Sequence, residues 1–421
     1  MNRFFYSAFL YLIFPLVLVY FIKRGLKDSR YFRGFFQRLG FFKFENATQV
    51  IHFHCASLGE SKAATPLIKA VKKAFPSTTI VVTNTTPAGS AEIRRAFSSH
   101  DVTQLLAPLD FLGAVKRFCH RVNPSVSIFV EVELWPNWFA ALAKNNTPCM
   151  IVNGRMTEKS YKKYSAKPAL FDPLFSQLHW VGAQSSNEAD RYKWLNVPKV
   201  EVMGNMKFEL AVSAHLDHEQ KALSHLVETP RKIWMAASVH PVEYQQVIKA
   251  HQLLLQTQPD ALLLLMPRHS ERFGEVARYL ANENINFKTR SSGESVASND
   301  CIWLLDSMGE AMPFYQLASV AYVGGSLVDI GGHNPLEPAI LSKPILMGPY
   351  YGNCVEIAEA LNAEQALQFV HNEGELAEHL EILFSNPSLI ETGGEAGLQF
   401  VKHNQGAVDR CLQEVKSLLA R

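Results

Sequence analysis

Short apolar runs recur along this chain in two separate series, each run followed by a stretch of helical character. The first series is 50–54 (VIHFH), 79–83 (TIVVT), 126–130 (VSIFV), 149–152 (CMIV) and 178–182 (LHWVG), with helical segments such as Ser61–Phe75 and Trp135–Lys144 between them. The second is 233–238 (IWMAAS), 261–266 (ALLLLM), 302–305, 319–323 (SVAYV) and 344–347 (PILM). Strands alternating with helices at this spacing make parallel sheets with helices on both faces. The chain is therefore predicted to be α/β, with two doubly wound, Rossmann-like domains at 49–210 and 232–404. A polar region at 211–231, without a strong strand, is the expected crossing between them. A length of 421 residues and 48% hydrophobic content supply enough material for two cores. In open parallel sheets, ligands bind beyond the carboxyl ends of the strands. With two such domains, a cleft between them is the expected site.

The N-terminus follows another rule. From Phe4 to Ile22 there are 19 residues without a charge, about the length that crosses a bilayer core. Arg3 precedes this run, and Lys23, Arg24, Lys27, Arg30 and Arg33 follow it. Residues 1–24 are thus predicted to be a membrane anchor with the rest of the chain on the cytoplasmic side. Pro15 removes a helix hydrogen bond in the middle of the run, so a helix lying in the interface is the alternative. Residues 25–48 form an expected juxtamembrane segment. Within it YFRGFFQRLGFFKF (31–44) interleaves aromatics with Arg33, Arg38 and Lys43. That pattern suits an anionic membrane surface or an amphiphilic ligand, or a helix packed on its own domain. A net charge of +2 gives no indication of a nucleic-acid partner. The six cysteines are scattered with no CxxC pair, which argues for reduced structural thiols and against a zinc site. His52 and His54 share a strand face without a third ligand at useful spacing and read as a packed pair. The sequence leaves the oligomeric state open.

Three segments carry the capping-box spacing, in which a capping residue is followed three positions later by Glu. They are Ser57-Leu58-Gly59-Glu60, Ser307-Met308-Gly309-Glu310 and Asn334-Pro335-Leu336-Glu337. Each follows a strand. The third follows GGSLVDIGGH (324–333), whose glycine pairs allow backbone turns or the close approach of a ligand at Gly324, Gly325 and Ser326. Such a box is an ordinary helix start. Placed after strands, however, free N–H groups bind phosphate or carboxylate, and an ionised Glu accepts hydrogen bonds from sugar hydroxyls. A nucleotide satisfies both demands. Arg268, after the apolar strand 261–266, offers bidentate contact with phosphate. Lys207 offers a positive charge at the end of the first domain. Glu131 and Glu133 follow strand 126–130 and point to one side if the strand persists that far, and buried acids need partners.

Taken together these segments resemble the bacterial Kdo transferases of lipopolysaccharide biosynthesis, Kdo being 3-deoxy-D-manno-octulosonic acid. The matching pieces are ASLGE (56–60), VEVELWPN (130–137), NGRM (153–156), GNMKFE (204–209), MPRHSERF (266–273), RSSGE (290–294), SMGE (307–310), VGGSLVDIGGHNPLEPA (323–339) and MGP (347–349). The resemblance implies an inverting GT-B-type glycosyltransferase at the inner membrane, using CMP-Kdo as donor and the tetraacylated lipid A precursor as acceptor, with no cofactor and no metal. It implies that Glu60 is the general base and that Glu131 and Lys207 stabilise the transition state. It also implies that Pro267, Arg268, Met308, Gly309, Glu310, Asn334, Pro335, Leu336 and Glu337 hold CMP. In folds of this type the last helix, here within 405–421, often returns to the first domain. One difficulty accompanies the assignment of Glu60, because a helix N-terminus lowers a carboxyl pKa and weakens the base. Two alternatives remain at this point: a GT-B enzyme, transferase or epimerase, that uses another nucleotide sugar, and a membrane-tethered nucleotide-binding module without catalysis.

Overall fold

The computed structural model describes residues 2–45, 47–209, 216–228 and 231–420. The chain divides into two compact units, one of residues 1–209 with 404–421 and the other of residues 210–403. The first holds a seven-stranded sheet. Its strands are β1 (Val50–Cys55), β2 (Thr79–Asn84), β3 (Val102–Leu106), β4 (Val126–Val130), β5 (Cys149–Gly154), β6 (Leu178–Ala183) and β7 (Val200–Val202). They lie in the order β3-β2-β1-β4-β5-β6-β7, and every pairing is parallel. The second holds β8 (Ile233–Val239), β9 (Leu262–Pro267), β10 (Phe287–Thr289), β11 (Ile302–Leu304), β12 (Val320–Val323), β13 (Ile345–Met347) and β14 (Leu367–Phe369). These lie in the order β10-β11-β9-β8-β12-β13-β14, again all parallel. The expectation of two doubly wound parallel sheets is borne out.

Parallel strands flanked by crossover helices are buried on both faces, so their sequences run continuously apolar. Every residue of β1 and β4 is buried. His52 and His54 sit in that core and share one hydroxyl: Thr83 Oγ1 lies 2.9 Å from His52 Nε2 and 2.9 Å from His54 Nδ1. In each sheet the direction of strand addition reverses once, between β1 and β4 in the first and between β8 and β12 in the second. These switch points open the crevices where doubly wound sheets take ligands.

The C-terminal helix Ala407–Leu419 belongs to the first unit. Its Cys411, Val415 and Leu418 pack in one cluster with Leu67, Ile68 and Val71 of the helix Leu58–Ala74. Lys199 pairs with Glu414 at 2.6 Å, and the Arg410 guanidinium donates to the Met203 carbonyl. Of the expected crossing region, residues 211–215 and 229–230 lie outside the described residues; the remainder contains the helix Leu216–Ser224 in the second unit.

The apolar N-terminal run is not one helix. It forms Arg3–Leu12 and Phe14–Lys27, bent by 55° at Ile13, and no single described helix is long and apolar enough to cross a membrane. Pro15 stands in the first turn of the second helix, where its missing N–H costs nothing. The first helix is tied to the first unit: Tyr6 donates to Asp110 at 2.9 Å and Ser7 to Asn137 at 3.0 Å. Burial pushes the Asp110 carboxyl up to about 7. Arg38, expected among surface basic groups, is only 1% exposed. It donates to the Thr85 carbonyl at 2.8 Å and lies over the Phe21 ring. The 31–44 segment therefore splits into residues that fasten it to the domain, including Arg38 and Phe42, and exposed ones such as Phe36 and Phe41.

Candidate active site

At the β1/β4 switch point the Ser57–Glu60 box closes in both directions. Ser57 Oγ accepts the Glu60 amide at 3.2 Å and donates to Glu60 Oε1 at 2.8 Å, while the Ala56 amide donates to Glu60 Oε2 at 2.7 Å. Both carboxylate oxygens are thereby fixed at the start of the helix Leu58–Ala74. Glu60 is 7% exposed. Burial pushes its pKa up to about 6, against the opposing hydrogen bonds from Ser57 and Ala56 and with added repulsion from Glu133 and Glu131. The weakening expected from the helix terminus is thus outweighed by desolvation.

Glu131 stands directly after β4 at φ +61°, an uncommon conformation for a residue with a side chain. Its amide is held by the Val152 carbonyl at 3.0 Å. Burial raises its pKa, and the positive charges of Lys207 and Arg155 restrain the rise. Lys207 is exposed, and the turn that carries it is positioned by Asn153, itself at φ +54° at the end of β5. Asn153 Oδ1 accepts the Met206 amide at 2.9 Å, and Asn205 Oδ1 accepts the Lys207 amide at 3.0 Å. Glu133 accepts from Trp135 Nε1 at 2.8 Å and lies 3.9 Å from His54 Nε2. It borders a cleft of about 360 Å³ lined also by Tyr6, Trp135, Lys163, Tyr164 and Phe171. A carboxyl poised near 6, two further acids and a lysine thus cluster at the end of the first sheet. Such a group can accept a proton from a hydroxyl.

In the second unit the candidate groups lie past the carboxyl ends of adjacent strands. Pro267 ends β9 and Arg268 follows, exposed, with its amide held by the Val239 carbonyl at 2.9 Å. The loop after β12 is built around a residue the sequence did not reveal, Glu243. Its fully buried carboxylate accepts from the amides of Gly325 (2.7 Å), Ser326 (3.0 Å) and Leu327 (3.0 Å), and from the Tyr322 hydroxyl (2.6 Å). The Gly324 amide is spent on the Ala237 carbonyl at 2.8 Å. Of the two roles expected of Gly324, Gly325 and Ser326, the turn is the one seen: the Gly325 and Ser326 amides serve an internal anion and the Gly324 amide a neighbouring strand. Glycine is needed at 324 for packing: a Cβ there would meet the Ser238 carbonyl at 2.8 Å.

The capping box at 307–310 does not close as spaced. Gly309 sits at φ +88° and Glu310 becomes the N-cap of a helix that starts only at Ala311, with no side-chain cap bond. Glu310 instead pairs with Arg290 at 3.2 Å, and Met308 is 61% exposed. Asn334 Oδ1 accepts the Leu336 amide at 3.2 Å, and the helix Leu336–Ile340 that carries Glu337 has Pro335 as its N-cap. A contact the spacing did not announce is His240 to His333, with the Nε2 atoms 2.9 Å apart.

Two Rossmann-like units with charged groups gathered at the switch point of each sheet define a two-domain α/β protein of GT-B type. The fold is shared with UDP-GlcNAc 2-epimerase from Neisseria meningitidis (TM-score 0.56, 13% identity, 89% of this chain and 100% of that one). It is also shared with a glycosyltransferase from Rickettsia africae ESF-5 (TM-score 0.55, 14% identity, 89% and 99%). The family described as 3-deoxy-D-manno-octulosonic-acid transferase (kdotransferase) matches residues 33–210. A 3-deoxy-D-manno-octulosonic acid transferase from Haemophilus influenzae is 36% identical over the full length of both chains. The chain belongs to the 3-deoxy-D-manno-octulosonic acid transferase family of glycosyltransferases.

Proposed function

We propose that this enzyme moves one Kdo residue at a time from CMP-Kdo to the tetraacylated lipid A precursor, by a single displacement that inverts the anomeric centre. The observation that carries the reading is Glu60: a buried carboxyl with both oxygens anchored and a pKa near 6, at the switch point of the first sheet. An acceptor hydroxyl attacks the anomeric carbon as the bond to the phosphate oxygen breaks. The hydroxyl proton passes to Glu60, and the bonding pair leaves with CMP. A base matched to near-neutral pH is effective in that role. Lys207 and Glu131 are assigned to charge developing in the transition state.

CMP is assigned to the carboxyl ends of the second sheet. Arg268 and Pro267 meet the phosphate, while Met308, Gly309, Glu310 and Asn334, Pro335, Leu336 and Glu337 meet the nucleoside, the glutamates accepting from ribose hydroxyls. With Arg268 and Lys207 supplying positive charge, the reaction is expected to proceed without a metal, and therefore in EDTA.

The N-terminal helix pair is assigned to the inner-membrane surface on its cytoplasmic side. Phe4, Phe5, Phe9, Leu12, Leu16 and Ile22 are exposed and apolar, and Arg24 and Lys27 follow them, as suits an interfacial helix on anionic lipid. The cleft beside Glu133, with aromatic walls and two lysines, supports an amphiphilic acceptor. Incubation with the lipid A precursor and freshly generated CMP-Kdo, followed by product mass, tests the assignment. A mass gain of one or more Kdo units is expected; unchanged lipid with consumption of another nucleotide sugar would overturn it.

A further inference from the structure

His240 follows β8 directly, and His333 closes the loop that follows β12. These strands are neighbours and flank the switch point of the second sheet. The two rings are parallel to within 6°, with centroids 5.2 Å apart and Nε2 atoms 2.9 Å apart. A centroid separation that exceeds the nitrogen separation by two ring radii means the rings lie edge to edge in one plane. This is a linear N–H···N hydrogen bond rather than a stack. One Nε2 carries the proton and the other accepts it.

The surroundings keep this pair together. Gly325 lies at φ +70°, and a Cβ there would come within 3.0 Å of the His333 ring and 3.3 Å of the His240 ring. The His240 amide donates to Glu243 at 3.1 Å, so the carboxylate that organises the loop also fixes the first histidine. Both rings are half-buried. The groups facing His240 are Glu243, the His269 ring (near-perpendicular, with centroids 5.3 Å apart) and Arg268. Burial lowers the His240 pKa, as do Arg268 and His269, while Glu243 raises it. The hydrogen bond between the rings leaves one Nε2 without a proton in the resting pair, and an incoming anion favours its protonation.

We propose that His240 and His333 form one positioning unit for the donor phosphate, opening on nucleotide binding so that a phosphate oxygen accepts an N–H from each ring. The ring that accepted the N–H in the resting pair then carries a proton on Nε2, gained from solvent, so phosphate binding takes up one proton. When the sugar leaves, the same two N–H groups face the oxygen that receives the bonding pair. The inference rests on the assignment of CMP to this unit, and it adds a phosphate contact outside the resemblance-derived set.

The test is calorimetry of the full-length enzyme with CMP and with cytidine, in buffers of different ionisation enthalpy, for wild type, His240→Gln, His333→Gln and the double variant. Glutamine keeps an amide N–H in reach but cannot take up the proton. CMP affinity is expected to fall roughly tenfold or more in each single variant, as for the loss of a charge-assisted hydrogen bond. Proton uptake should vanish, cytidine affinity should hold, and the double variant should resemble the singles because the pair acts as a unit. In wild type alone, ¹⁵N-histidine spectra should show both Nε2 signals moving with CMP and not with cytidine, whatever the variants do to folding. Unchanged CMP affinity in the variants, or equal loss for CMP and cytidine, overturns the pair's role and leaves the donor assignment standing. A wild-type enzyme that binds no CMP overturns both.

Discussion

The carboxylate of Glu243 accepts the Gly325 amide at 2.7 Å, across 82 residues of sequence. A negative charge supplied by the protein thus fills the nest of amides that a glycine-rich turn after a strand offers to a phosphate. The turn is preorganised by an internal anion, and its amides at 325–327 are already engaged. Glu243→Gln should therefore act on folding first. The amide of glutamine would face the Gly325 and His240 N–H groups, which Glu243 Oε2 now accepts. Each buried donor left unpaired costs about 1–3 kcal/mol. Denaturant titration should show a loss on the order of 3 kcal/mol. A loss below about 0.5 kcal/mol would mean the loop does not depend on this carboxylate.

The Glu60 pKa near 6 gives the pH dependence of turnover its sign. Glu60 must be ionised to accept a proton, so kcat/KM should rise about tenfold per pH unit below about 6 and level off above it. Lys207→Ala should add a second effect. Lys207 restrains the burial-driven rise at Glu131, so removing it should move an ascending limb to higher pH besides lowering the plateau. A profile flat from pH 5 to 8 in wild type would contradict the assignment.

The same shift has a consequence for stability. The folded-state pKa of Glu60 is raised from the ordinary 4.5 to about 6, so between those values the folded chain binds more protons than the unfolded one. Stability falls as pH rises through that window, and above it burying the charge costs up to about 2 kcal/mol. Glu60→Gln should be more stable than wild type at pH 7.5, with the gain fading as pH falls from about 6 to 4.5. Melting curves of both proteins at pH 5 and 7.5 measure this; a variant less stable at both values would mean the Ser57 and Ala56 hydrogen bonds outweigh the desolvation.

Arg38 separates a structural role from a membrane role in the 31–44 segment. Arg38→Ala removes a buried guanidinium that bonds Thr85 and covers Phe21, and should cost about 2–3 kcal/mol of stability. Arg33→Ala with Lys43→Ala should leave the melting temperature within about a degree and weaken binding to anionic vesicles, less so at high salt. Equal effects of the two changes on folding would show that the whole segment is domain packing.

What the sequence disclosed follows from burial. The central strands of both sheets are covered on each face, and their apolar runs stand out. The four strands it did not disclose, β3, β7, β10 and β14, are the four sheet edges. Their residues are largely half-exposed, as in VEV at 200–202 and FKT at 287–289, so no run forms. The Ser57–Glu60 box was legible because it is local and closes. The box at 307–310 was not, because Gly309 at φ +88° delays the helix and Arg290 takes the glutamate. Glu243 beneath the loop and the His240–His333 bond join residues 82 and 93 positions apart, and no spacing rule reaches that far. The turn at Ile13 and the burial of Arg38 depend on Asp110, Asn137 and Thr85, which only the folded domain brings near.

The central claim is that Glu60 removes the acceptor proton while CMP is held by other residues. Its most direct measurement is turnover of Glu60→Gln at saturating lipid A precursor and CMP-Kdo, with CMP affinity measured on the same preparation. The account predicts wild-type CMP affinity and a rate lower by about 10²–10⁴. A folded variant that binds CMP and turns over within a factor of about three of wild type would contradict it, and the base would have to be sought elsewhere.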